Sequence, residues 1–114
     1  MDLKAIQNSI REFRDDRDWM QFHNPKNLAI SIALEAAELL EHFQWKSFDE
    51  SESHAVSARD EIADEIADVS VYLIELADNL GIDLEQAILR KLEKNSTKYP
   101  AEKAKGNAKK YTEL

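Results

Sequence analysis

Residues 61–80 read EIADEIADVSVYLIELADNL. The stretch holds no Gly or Pro, and the Ala, Leu, Glu and Ile that fill it favour helix over strand. Its apolar residues, Ile62, Ile66, Val69, Val71, Leu73, Ile74, Leu76 and Leu80, spread around most of a helical circumference instead of one stripe. A helix that is apolar nearly all round has to be buried. The segment upstream repeats the pattern, with Leu28, Ile30, Ile32, Leu34, Leu39, Leu40 and Phe43. Two buried helices therefore decide the fold class, and the rest of the chain has to cover them.

Working outward, Asn24-Pro25 caps and opens the upstream helix, which is expected to run to about Trp45. A first helix is predicted over Leu3–Arg17, capped by Asp2, with Ile6, Ile10 and Phe13 on one face. Lys46 to Ser57, rich in Ser, Asp and Glu, reads as an exposed loop, and Ser57 or a near neighbour caps the helix that Gly81 stops. Asp83 and Gln86 form a capping box for a last helix ending near Lys98. The expectation is an all-α four-helix bundle over residues 1–100 and a basic tail over 101–114. Four helices can hardly surround two of their own members, so a homo-oligomer is expected, either a homodimer or a dimer-of-dimers tetramer.

Composition narrows the function. At 114 residues the chain is sized for one domain, and its net charge of −8 opposes binding to a nucleic acid polymer. No apolar run is long enough to span a membrane, no export signal opens the chain, and there is no cysteine. A cytoplasmic protein without disulfides or thiolate chemistry is expected. Charge is segregated. Glu35 to Asp83 carries 14 acidic residues against Lys46 and Arg59, whereas Arg90 to Lys110 carries eight basic residues against Glu93 and Glu102.

The polar residues on the two apolar helices call for a chemical account. Ser31, Glu35, Glu38 and His42 share one helical stripe; Glu61, Glu65, Asp68, Tyr72 and Glu75 share another. Acidic pairs three apart are common on solvated helix faces. Both pairs together, on the most apolar helices, point to a partly buried cluster that needs a cation. Oxygen-only donors favour Mg²⁺, with Mn²⁺ as a substitute, over zinc. Periodicity leaves the register open, because Glu61-Ile-Ala-Asp64 has the same form as Glu65-Ile-Ala-Asp68.

Glu35-Ala-Ala-Glu38-Leu, Phe43-Gln44-Trp45 and Glu65-Ile-Ala-Asp68-Val with Tyr72-Leu73 resemble the signature of MazG-like all-α pyrophosphohydrolases. Arg17-Asp18-Trp19, Gln21-Phe22-His23, Pro25-Lys26-Asn27-Leu28, Lys98-Tyr99-Pro100 and Lys110-Tyr111-Thr112-Glu113-Leu114 are similar to its small dCTP pyrophosphatase branch. The resemblance selects Glu65 and Asp68, with Glu35 and Glu38, as metal ligands. It implies Mg²⁺-dependent hydrolysis of nucleoside triphosphates, dNTPs such as dCTP among them, to monophosphate and pyrophosphate, as nucleotide-pool house-cleaning. Glu35 and Glu38 are the candidates to orient or deprotonate the attacking water.

The resemblance also implies that Trp19 and Trp45 line a nucleobase pocket completed by a neighbouring subunit, and that Asn95, Lys98 and Tyr99 hold the polyphosphate. His23 is a further candidate for the base, and Tyr72, one turn after Asp68, for bounding the sugar. Two other readings compete. A non-enzymatic helical module with an acidic partner surface explains the charge but not the burial of acidic pairs. A ferritin-like di-iron bundle requires Glu-x-x-His ligands, whereas Glu38 and His42 are four apart.

Overall fold

The computed structural model describes residues 1–114 as helices and connecting turns, with no strand. The helices are α1 (Leu3–Asp16), α2 (Pro25–Glu41), α3 (Phe48–Ser57), α4 (Arg59–Asn79), α5 (Leu84–Lys98) and α6 (Ala101–Ala104). Short 3-10 turns form at Met20–Phe22 and Tyr111–Glu113. The all-helical class is as expected, but with six α-helical segments instead of four. Two compact units result, Met1–Gly81 and Ile82–Leu114.

In the first unit α4 is the hub, with α1, α2 and α3 packed against it. Local chemistry sets where these helices start and stop. Asp2 accepts from the Ala5 amide and Asn24 from the Asn27 amide, each taking up an otherwise unpaired N–H of the first turn. α2 stops at Glu41, short of the expected Trp45. There the backbone tightens to i−3 bonds, His42 N–H to Leu39 O and Phe43 N–H to Leu40 O, and residues 42–45 form turns.

The expected loop at 46–57 is instead α3. Ser47 Oγ accepts from the Glu50 amide at 3.2 Å, and Glu50 Oε1 accepts from the Ser47 amide at 3.0 Å, a complete capping box. His54 of α3 then meets His42 at the end of α2, Nε2 to Nδ1 at 2.9 Å, with the Phe43 ring edge-on to His54. α4 follows after Ala58, with no side-chain cap, and Gly81 closes it at φ 68°. That backbone conformation suits glycine.

The buried apolar core of this unit is small: Ile10, Leu28, Ile74 and Ala77. Arg11 clamps α1 to α4 by a two-pronged pair with Asp78, Nε to Oδ2 at 2.6 Å, which holds the Asp78 carboxyl below its ordinary range. No helix is long and apolar enough to cross a membrane.

In the second unit Asp83 caps α5 through the Gln86 amide. The residues after Pro100 are helical in part, and Tyr111 packs edge-on to Tyr99 with the Lys98 ammonium 4.9 Å from its ring.

Leu28 is 1% exposed and is the largest fully buried side chain. Leu28→Ala is expected to lower the free energy of unfolding by about 2–5 kcal/mol, measured as a shift of the urea midpoint at unchanged slope. A loss within the range of surface substitutions would show that this unit is held together elsewhere.

Candidate functional site

Packing α2 against α4 sets one acidic stripe against the other. Glu35, Glu38 and Glu65 come together so closely that one carboxylate oxygen from each lies within 4.8 Å of the other two. Glu35 Oε2 and Glu65 Oε2 are buried and have no hydrogen-bond partner. No lysine or arginine makes a salt bridge to any of the three. Burial raises the Glu35 carboxyl above its ordinary value of 4.5, and the negative charges of Glu38, Asp68 and Glu65 push the same way. Glu65 is likewise raised, by burial first and then by Glu38 and Asp68, with a small opposing effect from His42.

Three converging carboxylates, two of them with an orphaned oxygen, and no nitrogen or sulfur among them suit a hard divalent cation. Asp68 stands just outside this trio, near enough to perturb Glu35 and Glu65, and it also faces a cavity of about 570 Å³ between α1 and α4. The cavity walls are Ile6, Ile10 and Phe13 from α1, Val71, Tyr72 and Glu75 from α4, and Trp19 and His23 from the connection between α1 and α2.

That connection is held in a definite shape. Asp18 takes a left-handed conformation, φ 54°, unusual for a residue with a side chain. Gln21 Nε2 donates to its carbonyl and carboxylate at 2.9 and 3.1 Å. The Trp19 amide folds back to Arg14 O at 3.1 Å, and the indole sits edge-on to Phe13 with ring centroids 5.7 Å apart. On the opposite wall Tyr72 keeps its hydroxyl proton more firmly than usual, because of burial and then the charges of Glu35, Asp68 and Glu75. An acidic cluster and an aromatic cavity are therefore neighbours, with Asp68 and Tyr72 between them.

The MazG-like family model matches residues 30–114. Over 114 residues the chain is 41% identical to dCTP pyrophosphatase 1 from Bos taurus, covering 98% of this chain and 68% of that one. Against dCTP pyrophosphatase 1 from Homo sapiens the identity is again 41%, over 98% of this chain and 67% of that one. A crystal structure of a pyrophosphatase from Archaeoglobus fulgidus superposes with a TM-score of 0.84 at 46% identity, covering 88% of this chain and 94% of the other. The chain belongs to the MazG-like family.

Within this MazG-like chain the residues named from the sequence fall into four places. Glu35, Glu38 and Glu65 share the acidic cluster, with Asp68 beside it; Glu61 and Asp64 are exposed and stand apart from the trio. Trp19, His23 and Tyr72 line the cavity. Trp45 does not: it projects from the turns after α2 and is 88% exposed. Asn95, Lys98 and Tyr99 lie at the C-terminal end of α5 and its cap, in the second unit.

Two charged residues of the cavity wall have no functional role in the reading of the sequence. Glu75 is 3% exposed and Arg14 is also buried, its guanidinium bonded to Asp15 and to Asn79 Oδ1. For Glu75 a signal existed, since it closes the stripe that begins at Glu61.

The raised carboxyls predict an unusual pH response of the metal-free protein. A folded-state pKa above the unfolded value of 4.5 means that the folded chain holds more protons between the two, so stability falls as pH rises through that window. In EDTA, the melting temperature of the wild type is expected to drop above pH 4.5 relative to Glu35→Gln or Glu65→Gln. Added Mg²⁺ should restore it. Parallel curves for wild type and variants would contradict a strained cluster.

Proposed function

We propose that this chain hydrolyses nucleoside triphosphates, deoxynucleotides such as dCTP among them, to the monophosphate and pyrophosphate in a Mg²⁺-dependent reaction. The observation that carries the proposal is the adjacency of the acidic trio to an aromatic cavity across Asp68 and Tyr72. A triphosphate bears its charge at one end and its stacking surface at the other, and this adjacency offers a complement to each. The relatives named for pyrophosphatase activity support the same reaction.

In this reading Glu35, Glu38, Glu65 and Asp68 hold the divalent cation, Mg²⁺ or in its place Mn²⁺. When bound, the cation supplies charge neutralisation at the phosphates and makes water more acidic. The side chains do the rest. Glu35 is the member of the trio assigned to accept a proton from the attacking water. In this reading Glu38, the exposed member of the trio, orients that water. The water oxygen adds at phosphorus, the anhydride bond between the monophosphate and pyrophosphate portions breaks, and the proton passes to the carboxylate.

Trp19 offers a face to the base and Tyr72 bounds the sugar. Removal of unwanted triphosphates from the nucleotide pool is the role that fits such a reaction.

The proposal includes a second copy of the chain. Leu34 of α2 is 62% exposed and Ile66 of α4 51%, with Ile30 and Leu73 close behind, on helices whose patterning calls for burial. A homodimer or dimer of dimers covers these faces and can bring the exposed Trp45 to a neighbour's cavity. Light scattering is expected to give a multiple of the 13.1 kDa chain mass, and Leu34→Glu to shift it toward the monomer with helicity retained. A monomeric wild type would remove this part of the proposal.

Activity is tested by pyrophosphate release from a panel of ribo- and deoxynucleoside triphosphates, with Mg²⁺ and with EDTA. Release should require the metal, and Glu38→Gln and Asp68→Asn should each lose about 100-fold or more in kcat while staying folded. Silence across the whole panel, with tight binding of a partner instead, would favour an interaction module.

A further inference from the structure

Burying a carboxylate in an apolar wall is unfavourable unless something specific holds it there. Glu75 is such a group, placed near the C-terminal end of α4 at 3% exposure among the residues that line the cavity. Its donor is His23. Both Glu75 oxygens lie close to His23 Nδ1: Oε1 at 2.9 Å with hydrogen-bond geometry, and Oε2 at 2.8 Å off the axis of the bond, with no other partner. The positive charge of Arg14 is near enough to sense Glu75 but is bonded to Asp15 and Asn79. His23 is therefore the one side chain that hydrogen-bonds this carboxylate.

An ionised carboxylate only accepts, so the shared proton has to sit on His23 Nδ1. In a neutral imidazole that leaves Nε2 with a lone pair and no proton. Nε2 has no hydrogen-bond partner in the protein, and the ring lies in the cavity wall between Trp19 and Tyr72, with centroids 6.1 and 6.3 Å away. Of the other polar side chains of the wall, Ser9 donates to the Ala5 carbonyl and Arg14 is bonded as above, while the nucleotide reading gives Trp19 to stacking, Asp68 to the cation and Tyr72 to the sugar. His23 Nε2 is an unpartnered acceptor in this wall, available to the edge of a base.

We propose that Glu75 is a positioning residue for base selection: it fixes His23 so that Nε2 accepts a hydrogen bond, and the cavity prefers a base with an exocyclic amine to one with a keto oxygen there. An amine, as on cytosine, donates into the Nε2 lone pair. A keto oxygen, as on uracil at the same ring position, sets lone pair against lone pair and leaves both buried acceptors unpaired. The inference rests on the nucleotide reading of the cavity but assigns a task to a residue that reading does not use.

Two measurements test it. The first is the tautomer of His23, from long-range ¹H–¹⁵N spectra of ¹⁵N-histidine-labelled protein without ligand, at a pH where the ring is neutral. The wild type should carry its proton on Nδ1; Glu75→Gln, whose amide oxygen still accepts, should keep it there, and Glu75→Ala should release it to Nε2. The second is the ratio of kcat/KM for dCTP to that for dUTP. Glu75→Ala is expected to cut this ratio about tenfold or more, through KM for dCTP with kcat little changed, because a base contact remote from the phosphates acts on binding. Glu75→Gln should recover most of the ratio.

A wild-type proton on Nε2, or a dCTP-to-dUTP ratio that Glu75→Ala leaves unmoved, overturns the inference. Glu75→Gln preserves the shape of the side chain, so it decides the matter if the alanine variant does not fold. A wild type that hydrolyses neither nucleotide refutes the nucleotide reading and with it base selection, while a proton on Nδ1 would still uphold the His23–Glu75 pairing as such.

Discussion

The first unit depends on a conflict between apolar packing and charge repulsion along the contact of α2 with α4. Leu28 of α2 and Ile74 of α4 are buried, and the contact of the two helices brings Glu35, Glu38 and Glu65 within 4.8 Å of one another. The helical repeat makes the two inseparable. Residues three and four apart share a stripe, so an interface that buries one side of α2 and α4 also sets the orientation of the carboxylates at its edge. Hydrophobic burial is indifferent to direction, whereas the repulsion is local and strong where water is scarce. The packed state thus stores a demand for positive charge or protons at one place, visible in the raised carboxyls and the two orphaned oxygens. A chain without that demand would gain stability and lose any reason to bind a cation there.

Much of this was legible in the sequence. The all-round apolar patterning of residues 28–43 and 61–80 needed only helical periodicity, and so did the pairing of the acidic stripes. What failed was punctuation. Ser47 to Glu50 is a capping box, but the Ser, Asp and Glu content of the segment signals a loop more strongly than a spacing of three residues signals a cap. α3 has no strong apolar face and is held by its cap, by the contact of His54 with His42 and Phe43, and by its packing on α4. A pairing between two different helices cannot be read from local composition. The end of α2 was misplaced for a related reason, since no Gly or Pro marks the change to i−3 bonding after Glu41.

The candidate site divides along the same line. Its acidic half is periodic and could be named from spacing, although the choice of Glu65 over Glu61 required resemblance to a family. Its cavity half is tertiary. Trp19 reaches the wall because Asp18 accepts a left-handed backbone and the Trp19 amide turns back to Arg14. Glu75 is invisible as a cavity residue until His23, 52 positions away, is seen to bond it. Buried charges are uncommon and their partners are usually distant in sequence, which is why pattern reading finds ligands on one helix more easily than the groups that orient them.

Both halves are carried by α4, and this explains why so short a chain can present two chemistries. Glu65, Asp68, Tyr72 and Glu75 follow one another at steps of three, four and three, which keeps them on one face over about 15 Å of helix. The face is graded. It begins at the acidic cluster, passes the firmly protonated Tyr72 hydroxyl, and ends in the apolar wall where Glu75 is covered by His23. Rigidity follows from the hydrogen-bonded backbone, so the spacing between the charged end and the aromatic end is fixed by the helix itself and not by a loop. A flexible connection would have let the two ends drift, and a ligand charged at one end and aromatic at the other would then lose entropy to bring them together. On a single helix that ordering is complete when the unit folds.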